Sequence, residues 1–130
     1  LDVGDRRIGI AVSDETRLIA SPHSVYTRVG WGPDVRFLAK LYQELACDLV
    51  VSGLPRNMDG SEGFQAQKVR QFMDKLQEAG LPVAFQDERL STVSAHEALI
   101  ASGMRREERK GTVDKVAAAV ILQQYLDKNR

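Results

Sequence analysis

The chain opens on an alternation of apolar and small or polar residues. Ile8, Ile10 and Val12 alternate with Gly9, Ala11 and Ser13, the period of two that marks a strand with one buried face. Leu1, Asp2 and Val3 precede it and Gly4 permits a sharp turn between the two. LDVGDRRIGIAVSD therefore predicts a β-hairpin with an acid near its turn. Ile19 to Tyr26 (IASPHSVY) reads as a third strand completing an antiparallel meander, and Pro22 points to an edge position or a bulge. The glycines and proline of TRVGWGPD predict a loop. Trp31 within it is either a local packing anchor, the preferred reading, or an exposed stacking ring.

The period then changes. Val35, Leu38, Ala39, Tyr42, Leu45 and Ala46 recur at steps of three and four, which predicts an amphipathic helix from about Asp34 to Cys47. LVVSG follows as a continuous apolar run, the mark of a strand buried on both faces, and strand, helix and buried strand together imply a parallel crossover. In the loop LPRNMDGSEG, Asn57 and Asp59 are suited to shaping a turn, and Ser61 is the candidate N-cap of the next helix. That helix carries Val69, Phe72, Met73, Leu76 and Ala79 as its apolar stripe, with Gly80 and Pro82 stopping it. Pro82 to Phe85 forms a last short strand running into Gln86-Asp87-Glu88-Arg89. A further helix opening at Ser91 or Thr92, or at Ser94 with Glu97 as its capping box, buries Ala95, Ala98 and Leu99 and ends at Gly103. RREERKG reads as a basic linker, and the final helix runs from about Thr112 to Asp127. No internal repeat or boundary interrupts this order, so residues 1–130 are expected to be a single α/β domain.

Composition sharpens the picture by exclusion. At 130 residues with 43% hydrophobic and 28% charged positions, the chain has the balance of an ordinary globular fold. Eighteen basic residues match eighteen acidic ones, so no global field draws the protein to a polyanion, and any such contact must be local. No apolar run has the length of a membrane span and no signal peptide is visible. The lone Cys47 forms no internal disulfide and is expected to be a small buried thiol in a reducing, cytoplasmic setting. Because strands usually have about five residues, the first strand is expected to extend upstream of Leu1.

Three acids break the apolar pattern. Asp2 sits inside the first strand, where it either caps the Gly4-Asp5 turn or serves chemistry. Asp114 heads the stripe Ala117, Ala118, Ile121, Leu122 and Tyr125 on one face of the last helix; the helix dipole explains its place in the first turn, but not its place on the apolar face. Glu88 lies just past the last strand, where ligands gather in parallel sheets, and it competes with Asp87 for the inward position. Glu88 paired with Arg89 on the surface is the alternative. Three converging carboxylates would repel one another unless they share a hard divalent cation, and all-oxygen donors suit Mg²⁺ or Mn²⁺. With only His23, His96 and Cys47 available, a zinc cluster is not expected. Carboxylate-held cations of this kind serve phosphoryl chemistry.

LDVGDRRIGIAVSD, VVSGLPRNMDGS, DERLSTVSA and KGTVDKVAAAVILQQYLD, in this order, resemble the YqgF family, also called RuvX, which is associated with Holliday junction resolution and pre-16S rRNA processing. The resemblance runs nearly end to end. It implies a ribonuclease H-like fold, a mixed five-stranded sheet of three antiparallel then two parallel strands with helices on both faces. It also implies that Asp2, Glu88 and Asp114 are the catalytic, metal-binding acids. Ser91 departs from the threonine usual in the family's DERLTT, and Arg6-Arg7 replaces its Lys-Arg, so charge is kept without the compact ammonium. No acid ends the fourth strand at Gly53-Leu54-Pro55, a place where many related nucleases have one, which leaves Glu88 to substitute.

In that reading a metal-dependent endonuclease cuts structured nucleic acid, with Arg6, Arg7, Arg89 and Lys115 holding phosphates. Arg105, Arg106, Arg109 and Lys110 form the one dense basic cluster, diluted by Glu107 and Glu108, and are read either as a solvated linker or as further phosphate contacts. The favoured substrate is the 5′ end of the 16S rRNA precursor, which one active site can trim; a four-way DNA junction would favour a two-fold dimer, so monomer and homodimer both stay open. A non-catalytic nucleic-acid-binding module for ribosome assembly is the rival without chemistry. The D-x-G hairpin also resembles the first phosphate motif of actin-like ATPases, but those need two such domains.

Overall fold

The computed structural model describes residues 1–87 and 106–129, with side chains from 113 onward in the second span. In chain order the elements are β1 (Asp2–Val3), β2 (Arg7–Ser13), β3 (Ala20–Thr27), α1 (Trp31–Glu44), β4 (Val50–Leu54), α2 (Phe64–Glu78), β5 (Val83–Asp87) and α3 (Arg106–Lys128). β1, β2 and β3 form an antiparallel sheet in that order, and β4 pairs with β5 in parallel. Leu1 ties the two together: its amino group donates to Val51 O at 2.6 Å and its carbonyl accepts from Gly53 N at 3.1 Å. The predicted strand types and their order are therefore found.

Alternation along β2 sends its residues to two different layers. Ile8 and Ile10 join Val3, Leu54, Leu38 of α1 and Ala66, Val69, Phe72, Met73 and Leu76 of α2 in one core. Phe72, Met73 and Leu76 are fully enclosed there, and a large side chain buried in this way contributes on the order of 1.5–3 kcal/mol. The opposite side of β2 meets α3, which lies across β2 and β3 and touches β1, β4 and β5 as well. Ala117, Ala118 and Ile121 are buried on that helix as its spacing predicts, Val113 joins them, and Asp114, Leu122 and Tyr125 of the expected stripe are half-buried. Pro22 sits in the edge strand β3 next to a register shift between Ile10 and Ala11, so both of its expected explanations hold.

Three element starts differ from expectation. α1 begins at Trp31 rather than near Asp34, because Pro33 falls in the first turn, where its missing N–H costs nothing. Trp31 meets Phe72 edge-on at 6.1 Å yet stays 44% exposed, half anchor and half surface ring. Ser61 does not cap α2; Gly63 holds that position without a side-chain bond, while Ser61 donates its N–H and hydroxyl to Asp59 Oδ1 at 2.9 and 2.6 Å. The Asn57–Ser61 turn thus has first claim on the serine. Lastly, RREERKG is not a linker from Arg106 onward but the start of α3, since residues with good helix propensity extend an already nucleated helix through Gly111. The expected helix between residues 91 and 103 lies outside the described residues, and Cys47 is half-buried rather than enclosed. Among the described residues no helix is long and apolar enough to cross a membrane.

Candidate active site

Asp2 and Gly9 are directly opposed across the β1–β2 pair, and opposed residues of an antiparallel pair project to the same face. That face is the one covered by α3. A side-chain carbon added at Gly9 would lie 1.9 Å from the backbone carbonyl of Asp114 and 3.0 Å from Lys115 N. Because α3 begins at Arg106, Asp114 lies within the helix rather than in its first turn as expected, and any residue other than glycine at position 9 would hold this part of α3 away from the sheet. The absent side chain therefore lets Asp114 come down beside the position of Asp2.

Arg7, two residues before Gly9, shares its face. Its Nε donates to Asp114 Oδ2 at 2.6 Å, a charge-assisted bond between groups 40% and 22% exposed. Among the described residues Arg7 is the partner found for Asp114. The guanidinium expected to hold a phosphate is thus engaged by one of the expected metal-binding acids. Arg6 lies exposed on the β1–β2 turn, and Lys115 is half-buried next to Asp114. The turn itself closes through Gly4 N donating to Arg7 O at 2.9 Å.

Asp87 ends β5 opposite Leu54, in the alternation that carries Leu54 into the α1–α2 core. The face of Asp87 is accordingly the other one from that of Asp2. Glu88, Arg89 and Arg105 lie outside the described residues, as do the side chains of Arg106, Arg109 and Lys110. Asp2 and Asp114 offer oxygen donors alone, which fits a hard cation and not zinc. Among the described residues no group of three His, Cys, Asp or Glu stands ready to hold a metal.

One cluster was not foreseen. Asp34 is fully buried, with Oδ1 accepting from Tyr26 OH at 2.9 Å, Val29 N at 2.9 Å and Gly30 N at 3.3 Å, and Oδ2 accepting from Arg28 Nε at 3.0 Å. Burial pushes this carboxyl up, but those bonds together outweigh it and hold it below the ordinary carboxylate value. Arg28 also donates Nη1 to Gly4 O at 2.9 Å and its backbone N–H to Arg6 O at 2.8 Å. The network therefore braces the turn that delivers Arg7. An acid in the first turn of a helix, six residues after an arginine, was the available signal.

A family model described as RuvX, Holliday junction resolvase, matches residues 1–128. A Clostridium novyi protein named "Putative pre-16S rRNA nuclease" is 45% identical over 128 residues, covering 98% of this chain and 95% of its own length. Proteins of the same name from Paracoccus denitrificans and Halothermothrix orenii are 47% and 44% identical, covering 100% and 98% of this chain and 83% and 91% of their own lengths. The chain belongs to the RuvX family.

Proposed function

We propose that this protein is a nuclease that hydrolyses phosphodiester bonds of structured nucleic acid, and that its reaction is maturation of the 5′ end of the 16S rRNA precursor. The observation carrying this reading is the shared face of Asp2 and Asp114, made possible by Gly9. The names of the relatives support the substrate. The two bonds of Leu1 to β4 support a single five-stranded sheet of ribonuclease H-like type, with β1 at its centre between β2 and β4.

Asp2, Glu88 and Asp114 are the carboxylates of this site. Asp87 faces away, which favours Glu88 as the acid that joins the other two. A Mg²⁺ or Mn²⁺ ion held by them would supply Lewis acidity, polarising the phosphate and lowering the pKa of the attacking water. Arg7 fixes Asp114 by Oδ2, as outer partners of ligating carboxylates do. Arg6 and Lys115 border the site as contacts for flanking phosphates, with Arg89, Arg105, Arg106 and Lys110 as further candidates from the same end of the chain.

A second reading, resolution of four-way DNA junctions, is favoured by the description of the family. Both substrates are to be offered to one preparation with Mg²⁺, beside Asp2→Asn. Asp2→Asn is expected to lower the cleavage rate by more than about 100-fold, beyond the 10–100-fold typical of losing an outer partner. Faster cleavage of the RNA precursor supports maturation, and faster cleavage of the junction supports resolution. Undiminished cleavage by Asp2→Asn would overturn both.

A further inference from the structure

At the end of the molecule where α1 and α2 both begin lies a groove of about 480 Å³, lined by Arg28, Trp31, Asp34, Phe64, Gln67 and Lys68. That volume is in the range of small-ligand pockets. Three apolar side chains stand exposed on its rim: Val29 is 78%, Trp31 44% and Phe64 74% exposed. Cations accompany the rings. Lys68 Nζ stands 4.7 Å from the centre of the Phe64 ring, and the Arg28 guanidinium stands 4.7 Å from that of Phe72, which Trp31 meets edge-on.

This composition selects among partners. The buried centres of protein interfaces are depleted in lysine, whereas exposed rings interleaved with Arg, Lys and side-chain amides are what holds unpaired bases and their phosphates. Of the charged residues lining the groove, Arg28 pairs with Asp34, whose carboxylate is closed off by its own donors, while Lys68 Nζ lies 3.4 Å from Asp5 Oδ1 in an exposed pair that a phosphate can replace. Position adds a second argument. Asp5 lines the groove and belongs to the same short turn that carries Arg7 to Asp114. The groove and the carboxylate site therefore lie on opposite faces of the sheet at the same end, linked through that one turn.

We propose that this groove takes unpaired bases flanking the cleaved phosphate in the substrate strand, stacked on Trp31 and Phe64, with Lys68 meeting the backbone. The proposal rests on the nuclease reading of the carboxylate site. It assigns the substrate class as nucleic acid with a single-stranded flank at the cut, in preference to a fully paired arm.

Trp31 is the one tryptophan of the chain, so its fluorescence reports stacking without any cleavage. The full chain carrying Asp2→Asn is titrated with a short oligouridylate and with a blunt RNA duplex of equal length. The single strand is expected to quench Trp31 and the duplex to leave it unchanged. Phe64→Ala removes an exposed ring, so its urea midpoint should match the parent while oligouridylate binding weakens by roughly tenfold, as for other stacked bases. No quenching by the single strand, or equal quenching by the duplex, overturns the groove even if cleavage by the parent and its dependence on Asp2 stand. Quenching that persists in a protein cleaving neither precursor nor junction upholds the groove and overturns the nuclease reading instead. Trp31 emission that changes with protein concentration alone, together with a sedimenting dimer, assigns the groove to a second copy and overturns the proposal.

Discussion

Two acid–arginine pairs flank the β1–β2 turn, and they are built to opposite specifications. In Arg28–Asp34 the acid is fully enclosed and the arginine 15% exposed, and four donors fill the carboxylate. In Arg7–Asp114 the bond is shorter, at 2.6 Å against 3.0 Å, but both groups are open to water and one oxygen is engaged. A fully buried carboxylate that already accepts from four donors has no room left for a ligand. One that is fixed at a single oxygen is oriented yet still available. The difference separates an acid closed into the fold from one left accessible at its surface.

The sharpest way to break this contrast is to remove the enclosed acid. Asp34→Ala leaves a buried guanidinium without its partner and is expected to cost about 3–5 kcal/mol in urea unfolding at neutral pH. Because the folded value of Asp34 lies below its unfolded one, its stabilisation is present above about pH 4 and is lost as pH falls below that through the folded value. Asp34→Asn should flatten that acid slope. A parent and an asparagine variant that lose stability in parallel between pH 5 and pH 3 would show that Asp34 is not the group responsible.

Sequence pattern and structure meet and part for physical reasons. β2, α2 and the stripe of α3 were legible because each buries one face, and burial imposes a period. Asp2 and Asp114 were legible because they break that period. Gly9 was not, since a small residue on the alternate face of a strand looks like any other until a second backbone is found against it. Asp34 was hidden for a related reason: an acid at a helix start is ordinary, and what makes this one special is Arg28 and Tyr26, brought in from β3 and the loop after it. Ser61 shows the reverse error, a good cap by type that a nearer acid engages first.

A smaller effect is expected from closing the gap above Gly9. Gly9→Ala places a methyl group against the Asp114 carbonyl, and overpacking of this kind typically costs about 1–3 kcal/mol. If the contrast between the two acids is right, the same change should lower cleavage more than Asp34→Asn does, after both are corrected for the folded fraction. The first moves Asp114 relative to Asp2, whereas the second only loosens the turn. Equal losses in cleavage would mean that the spacing of the two acids is not what the site depends on.

Arg7→Gln is the mildest change to stability and the most discriminating. A pair this exposed is worth about 0–1 kcal/mol, so the urea midpoint should scarcely move. Calorimetric titration with Mn²⁺ then asks what the bond to Asp114 is for. If Arg7 orients the carboxylate, its loss should weaken Mn²⁺ binding by roughly 10–100-fold, as the loss of an outer partner does. If Arg7 instead competes for the same oxygen, binding should tighten, and the arginine would be a counter-ion that a metal must displace. The first outcome extends the contrast with Asp34, because one arginine then prepares a ligand where the other buries one. The second dissolves it, since both arginines would only be neutralising a charge.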